Sequence, residues 1–592
     1  MDVKDFIAPF AVWKRAFEKP FTVKKPIDER PGAPRYRGFH KNDADACVGC
    51  GSCEAICQNA AIDLVEVAGR SPSAGDSGLR PRIDYGRCCW CALCVDICPS
   101  GSLTMSNEYV WISSDPEDFR FVPGVDPKPW DSAELGYKRA EGYSLLDKER
   151  VEMPELPHAE GVASFRELVK GYSRELAEKE ADRCVECGLC VASCPAHMDI
   201  PGYIRAVREG NIDEGLRLLY ETNPFPEACG RVCTHVCEEA CSIGVQGDPL
   251  AIRWLKRYIA DQVELADYAK ELPRKDAPTG KKVAVVGAGP GGLAAAYYLA
   301  MAGHEVRVLE AAPKAGGMLR YGIPEYRLPY EALDKDIAYI ESLGVKVETS
   351  VAVGKDMDYA KLKREHDAVY VSTGLPAAYK LDVPGDDLSC VRDGVEVLAR
   401  VTRGEDPKLG KKVAVVGGGN VAMDCARTAR RLGAEVDILY RRREVDMPAD
   451  VEEIVESKAE GVNIVVQAIP TGVKLGPDGS ALVSWGRARM VDQGPGKRPL
   501  PELMPETVRE VRYDTIVAAI GQGPDLSFIA ADAADGLEVK RYKPVVDATG
   551  RTGDPKVWAG GDLVNEKKDA ISAIADGHRA ALAIDRALRK GA

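Results

Sequence analysis

Two stretches of the chain run through the same order of apolar and polar positions. KKVAVVGAGPGGLAAAYYLAMAGHEVRVLE, from residue 281, opens on an apolar run of strand length and breaks at glycines. A helical stretch follows, then a second strand that ends at Glu310. KKVAVVGGGNVAMDCARTARRLGAEVDILYRRR, from residue 411, repeats that order. Apolar strands on either side of a glycine turn and a helix predict a βαβ unit, so the second half of the chain carries two of them. DAVYVSTG (367–374) and YDTIVAAIGQGPD (513–525) read as further strands, ending in small-residue turns where the chain crosses between domains. The first fold is therefore expected in two parts, 276–400 and 512–592, with the second inserted at 401–511. Ahead of both, ELPRKDAPTG (271–280) is a charged, proline-containing linker. Residues 113–158 are rich in Pro, Asp and aromatics with weak periodicity, which predicts a surface strap rather than a domain. No apolar run approaches the ~20 residues needed to span a bilayer.

At 592 residues the chain has room for about four domains. Its net charge of −13 argues against nucleic acid, whose phosphates are held by basic surface. The N-terminus, MDVKDFIAPFAVWKRAFEKPF, scatters its charges instead of placing a basic end before an apolar block. It does not read as a signal peptide, and a cytoplasmic location is expected. Thiols stay reduced there, so the 19 cysteines point to metal rather than disulfides. Only Cys390 and Cys425 lie beyond residue 242, which places the metal chemistry in the first half.

Sixteen of the other 17 cysteines fall into four groups, with Cys89 left over. Cys47, Cys50, Cys53 and Cys57 have the C-x2-C-x2-C-x3-C spacing of two-cluster bacterial ferredoxins, and so do Cys88, Cys91, Cys94 and Cys98. Three thiolates on one tight loop cap three irons of a cubane, and the fourth, on the next turn, serves the other cluster. That crossing assigns Cys47, Cys50, Cys53 and Cys98 to one [4Fe–4S] cluster and Cys88, Cys91, Cys94 and Cys57 to a second. Zinc sites instead use two short cysteine pairs set apart. Cys89 is expected as a small buried apolar residue. Pro99 follows Cys98 as in ferredoxins, whereas Gln58 follows Cys57. The third group is Cys184, Cys187, Cys190 and Cys194; the fourth, Cys229, Cys233, Cys237 and Cys241, is spaced x3-x3-x3.

The βαβ units carry their own chemistry. Gly287, Gly289 and Gly292 form G-x-G-x-x-G, a dinucleotide fingerprint. The glycines allow the tight turn, the approach of a pyrophosphate and close packing of helix on strand. Glu310 stands where a ribose-binding carboxylate belongs. Gly417, Gly419 and Ala422 form the G-x-G-x-x-A variant used for NAD(P). There the second strand ends not in an acid but in Arg441, Arg442 and Arg443. Guanidinium groups suit a 2′-phosphate, so NADP(H) is favoured over NAD(H).

PRYRG at 34–38 resembles the entry to the two-cluster ferredoxin subunit of respiratory complex I and related hydrogenases. In those relatives the preceding segment docks on a partner. FIAPFAVWKRAFEKPF (6–21) carries apolar residues beside lysine and arginine; a helix packed on its own domain is the alternative. The third and fourth cysteine groups, with NPFP at 223–226, resemble the N-terminal domain of the glutamate synthase small subunit. The same domain occurs in dihydropyrimidine dehydrogenase and in the large subunit of the bifurcating NADH-dependent ferredoxin:NADP oxidoreductase. The resemblance runs from about residue 160 to the end. It implies one cluster on Cys184, Cys187, Cys190 and Cys241, and another on Cys194, Cys233 and Cys237. In relatives the last ligand of the second is often Gln or Glu, at the position of Lys256, a cation that does not coordinate iron. Cys229 is the expected replacement, with an unrecognised Glu or a three-iron cluster as the alternative. AGGMLRYGIPEYRLP (315–329) resembles the family's FAD signature, which implies Gly316, Gly317 and Arg327 near the flavin's phosphates and ring. Gly561 and Asp562 in VWAGGDLV are implied at the ribityl–pyrophosphate region. The helix from near Ala570 is implied to aim its N-terminal dipole at the flavin carbonyl.

These expectations combine into an α/β and α+β multidomain chain. A two-cluster ferredoxin domain with a docking segment (1–112) precedes the linker (113–158) and a helical domain for two iron–sulfur clusters (159–275). An FAD Rossmann-like domain with an inserted NAD(P) Rossmann-like domain completes it. The implied function is an NAD(P)H:acceptor oxidoreductase subunit in which FAD converts electron pairs to the single electrons that four [4Fe–4S] clusters carry. The 159–275 clusters come first and the ferredoxin clusters last, in either direction of flow. Hydride transfer between cofactors needs orientation rather than an acid or base, so no catalytic residue is assigned. The chain lacks an amidotransferase domain and a pyrimidine-reducing barrel, which implies a separate redox partner of 2-oxoacid:ferredoxin oxidoreductase, sulfur enzyme, hydrogenase or glutamate synthase type. The alternatives are a self-sufficient ferredoxin:NADP oxidoreductase using free ferredoxin, and a non-catalytic wiring scaffold. Intact glycines and the three arginines argue against the scaffold.

Overall fold

A computed structural model describes residues 8–18, 32–264, 272, 274–494, 496–530 and 537–590. Parts of the proposed docking segment and of the 271–280 linker lie outside the described residues. The chain forms two compact units, 1–148 with 242–248, and 149–241 with 249–592.

In the first unit, strand His40–Asn42 pairs antiparallel with Leu103–Met105, and Ile62–Glu66 with Leu79–Asp84. Ile62, Ile83, Leu103 and Met105 point inward to a core shared with Phe39, Tyr85 and Phe121. The 113–158 strap is not merely superficial. Arg120–Phe121 adds a strand to Leu79–Asp84, and Trp130 is buried and stacked on Phe39 at 4.1 Å. So small a domain buries too little of its own apolar surface, and the aromatic strap supplies more. Ala8–Phe17 forms a 3-10 helix with none of its residues buried.

The second unit begins with short helices. Ile200–Arg208, Ile212–Thr222 and Ile252–Asp261 meet through Tyr203, Leu216, Leu219 and Ile259. Two five-stranded parallel sheets follow. The first runs Val557–Ala559, Ala368–Val371, Lys282–Val286, Glu305–Leu309, Lys346–Glu348. The second runs Val391–Asp393, Thr515–Ala518, Lys412–Val416, Glu435–Tyr440, Asn463–Val466. Parallel strands are covered on both faces, which is why each KVAVV reads as an unbroken apolar run.

The insertion is wider than 401–511, because Val391–Asp393 and Thr515–Ala518 are strands of the second sheet. The chain leaves the first fold and returns to it as a two-stranded antiparallel pair, Ala377–Ala378 with Gln522–Gly523. The inserted fold also carries an antiparallel sheet built from Ala468–Leu475, Ala481–Val491, Leu500–Leu503 and Arg509–Tyr513. Among the described residues, no helix is long and apolar enough to cross a membrane.

Candidate functional site

The three C-x2-C-x2-C loops fold alike. In each, the residue two after the first cysteine and the residue just after the second are left-handed. These are Gly49 and Gly51 (φ +61° and +78°), Trp90 and Ala92 (+53° and +67°), and Glu186 and Gly188 (+53° and +75°). The later residue of each pair precedes a short helix, Ser52–Ala55, Leu93–Ile97 or Leu189–Ser193. Left-handed backbone costs a non-glycine residue roughly 1–2 kcal/mol, so Trp90, Ala92 and Glu186 hold it because the loop requires it. Turning the chain at these two points lets the three thiols of a loop face one volume.

The structure brings together the thiols that the crossing pairs. Cys47, Cys50, Cys53 and Cys98 line one small cavity with Gly49, Ser100 and Ser102. Burial, and then the thiols of Cys50, Cys94, Cys47 and Cys98, push the Cys53 thiol well up. Burial and the neighbours Cys88, Cys91 and Cys57 raise Cys94. Cys88 is pushed up to about 11 by burial, with Cys89, Cys57 and Cys91 adding to it. Crowded buried thiols resist ionisation one by one, and iron relieves this by taking them as thiolates. The donor sets therefore fit cubane clusters. Among the described residues, no three His, Cys, Asp or Glu side chains converge as the ligands of a single metal ion do. Cys89 is exposed, not buried as expected; Cys91 in the same loop is exposed as well.

In the helical part, burial and the neighbours Cys187, Cys184, Cys237 and Cys241 raise Cys190. The second set gathers around Lys256. That side chain is buried; burial pushes its ammonium down, and the thiols of Cys233, Cys229, Cys194 and Cys237 push it back above its ordinary value. Cys229 is fully buried beside Lys256 and Cys233.

Both glycine fingerprints open on one cavity of about 960 Å³. Gly287, Gly289, Glu310, Gly317, Asp562 and Ala570 line it from the first fold, and Gly417, Gly419, Arg441 and Arg442 from the second. Gly292, Gly316, Gly561 and Ala422 are not among the lining residues; a Cβ on Gly292 would come within 2.0 Å of the Gly287 carbonyl oxygen, so it serves helix–strand packing. Glu310 is anchored by its carboxylate, which accepts from the N–H of Ala288 (2.7 Å) and of Ala312 (2.8 Å), while burial raises its pKa. Ala570 opens the helix Ala570–Lys590 at the cavity wall.

Several polar atoms at this wall have no protein partner among the described residues. They are Asp562 Oδ1, Thr373 Oγ1 and Gln522 Nε2. Burial and the nearby Asp569 push Asp562 up to about 6. Buried polar atoms normally find a partner, and a polar nucleotide supplies one here; the residues present thus fit bound dinucleotides.

Three arginines take on contacts that the sequence expectation does not name. Arg327 lines the cavity, but its guanidinium is engaged by Asp424 (2.9 and 2.8 Å) and Glu453 (2.9 Å), which tie the two Rossmann-like folds together. Arg443 faces away and pairs with Asp446 at 2.8 Å. Arg498, in a GKRP loop with no motif to mark it, joins Arg441 and Arg442 at the cavity. Val232 and Thr234 also line it, so Cys233 stands between two residues of the nucleotide site.

Residues 281–577 match the family described as pyridine nucleotide-disulphide oxidoreductase. Residues 161–267 match dihydropyrimidine dehydrogenase domain II, 4Fe-4S cluster, and 46–102 match the 4Fe-4S dicluster domain. The chain is 42% identical over 432 residues to the NADP(+)-dependent formate dehydrogenase subunit beta of Moorella thermoacetica, covering 68% of this chain and 60% of that one. It is 38% identical over 429 residues to the NADPH-Fe(3+) oxidoreductase subunit beta of Geobacter sulfurreducens, covering 68% and 64%. It thus spans less than two thirds of these two relatives. Identity to the glutamate synthase [NADPH] small chain of Escherichia coli is 31% over 462 residues, covering 74% of this chain and 97% of that one. The chain belongs to the pyridine nucleotide-disulphide oxidoreductase family, as a glutamate synthase small chain-like member with an added 4Fe-4S dicluster domain.

Proposed function

We propose that the protein is an NAD(P)H:acceptor oxidoreductase subunit that exchanges electrons with a separate redox enzyme. The observation that carries this is the one cavity shared by two dinucleotide fingerprints and bordered by the residues flanking Cys233. FAD held there would supply the exchange between a hydride and the single electrons that iron–sulfur clusters carry.

The chain's own residues bind and orient. Gly287, Gly289, Gly317 and the helix N-terminus at Ala570 would hold the flavin's phosphates and ring, with Glu310 at its ribose. Arg441, Arg442 and Arg498 would hold a 2′-phosphate, which favours NADPH. Four cysteine sets would each hold a [4Fe–4S] cluster: Cys47/Cys50/Cys53/Cys98, Cys57/Cys88/Cys91/Cys94, Cys184/Cys187/Cys190/Cys241 and Cys194/Cys229/Cys233/Cys237. The last set lies beside the nucleotide cavity and so is the first stop for electrons leaving it. A cytoplasmic setting, where the cysteines stay reduced, is part of this proposal.

The relatives' names, subunit beta and small chain, support a catalytic partner on a different polypeptide; co-purification from native cells would identify it. The direct test is anaerobic titration of the purified protein with NADPH and then NADH, with iron and flavin counted. About sixteen irons, one FAD, and flavin and clusters both reduced faster by NADPH are expected. A flavin that responds to neither nucleotide would overturn the proposal.

A further inference from the structure

His40 opens the strand His40–Asn42 and is 1% exposed. Its backbone N–H donates to the Tyr85 hydroxyl oxygen at 2.7 Å, and its ring Nδ1 lies 2.8 Å from the same oxygen. That hydroxyl has one proton to give. Its oxygen already accepts from the His40 backbone, and Nδ1 is the acceptor the proton meets. A charged imidazolium here would leave a buried O–H without an acceptor and would itself lose its hydration. The ring is therefore neutral with Nδ1 accepting, which puts its own proton on Nε2. Nε2 lies 3.3 Å from Cys94 Sγ.

We infer that His40, held in the Nε2–H tautomer by Tyr85, donates a hydrogen bond to Cys94 Sγ and raises the reduction potential of the cluster on Cys57, Cys88, Cys91 and Cys94. The inference rests on the ligand set proposed above. A reduced cluster carries one more negative charge, shared by its cysteine sulfurs, so an N–H donor stabilises the reduced state more than the oxidised one. The Ala61 N–H reaches Cys57 (3.3 Å) and the Trp90 N–H reaches Cys88 (3.4 Å), both from the backbone. Among the described residues His40 is the side-chain donor to this set. The neighbouring set is served by hydroxyls instead, Ser52 at Cys50 (3.3 Å) and Ser100 at Cys98 (3.5 Å), and its potential does not depend on His40.

The test uses the full-length, cluster-loaded protein and its His40→Phe, His40→Gln and Tyr85→Phe variants, with iron counted and potentials read by EPR-monitored redox titration. In His40→Phe with full iron, the reduced-to-oxidised ratio of one cluster at fixed potential is expected to fall about 3–10-fold, tenfold being 59 mV for one electron. The amide of His40→Gln can donate and is expected to restore part of the shift. Tyr85→Phe releases the tautomer and is expected to fall between the wild type and His40→Phe. Protein labelled with 15N-histidine is expected to show by pulsed EPR a 15N coupling in the wild type that the labelled His40→Gln protein lacks, the His235 N–H at Cys233 giving its own coupling in both. That measurement decides the matter if His40→Phe fails to load iron. Unchanged potentials in a fully loaded variant, or no such coupling in the wild type, overturn the inference. A Cys94→Ala protein that keeps all of its iron overturns the ligand set instead, whatever His40 does.

Discussion

Arg441, Arg442 and Arg443 are adjacent in sequence and meet three different surroundings. Arg443 is closed on Asp446, Arg442 lines the cavity while its Nε donates to the Pro499 carbonyl at 3.0 Å, and Arg441 lines the cavity as an exposed cation. Replacing Arg441 and Arg442 together with Ala should raise Kd for NADPH about 10–100-fold and leave NADH nearly unchanged, measured by flavin-quenching titration; charge-assisted contacts of ~1.5–3 kcal/mol set that range. Arg443→Ala should leave both affinities near wild type. Asp562 offers a pH test. Its value of about 6 lies above the ordinary carboxylate value, so the flavin-free chain is favoured while Asp562 stays protonated and loses that contribution as pH rises through 6. Asp562→Asn should therefore stabilise the flavin-free protein at pH 8, by about 1 kcal/mol since the group is partly open to the cavity, and change little at pH 4. Thermal melts of flavin-free protein at both pH values would show it, and an equal effect at both would count against it. The same substitution is expected to weaken FAD binding.

The cysteine loops succeed as elements because six left-handed residues recur at matching places, whichever side chain stands there. Spacing made three of the loops recognisable; the fourth group lacks that geometry and shows a left-handed residue only at His235. Its chemistry is carried instead by Ile252–Asp261, the helix that places Lys256 among four thiols. Cys229→Ala should cost about four irons and leave the ferredoxin signals intact; full iron retention would return the fourth-ligand question to another residue. Arg327 is the corresponding test for the paired Rossmann-like folds. Arg327→Met leaves Asp424 buried without the Nη1 that donates to both of its oxygens and should destabilise the protein by ~3–5 kcal/mol, seen as a lower denaturation midpoint. The βαβ units were legible because their apolar runs and glycines are contiguous. The antiparallel sheet of Ala468–Leu475, Ala481–Val491, Leu500–Leu503 and Arg509–Tyr513 was not, because its strands pair through loops of differing length and no glycine motif marks them.

The proposed order of carriers is one that can be interrupted at one end without touching the other. Cys94→Ala should remove one cluster and slow electron delivery to the partner several-fold, while NADPH still reduces the flavin at the wild-type rate in stopped-flow measurements. Loss of flavin reduction in that variant would contradict the order. The cluster loops and the dinucleotide turns were already legible from spacing, because each is a demand on a few consecutive backbone angles and the residues that meet it stand within about ten positions, whereas FAD was implied only by the resemblance at 315–329. Partners across longer separations were not. Arg327 suits a flavin phosphate by motif but meets Asp424, 97 residues away, and Arg498 reaches the nucleotide cavity from a loop without a signature. His40 meets a cysteine 54 residues along the chain, and the strap around Trp130 completes a core that its own periodicity does not announce. Which charge faces which, and which fold borders which cluster, depends on how distant segments pack, and no local pattern of residues encodes that.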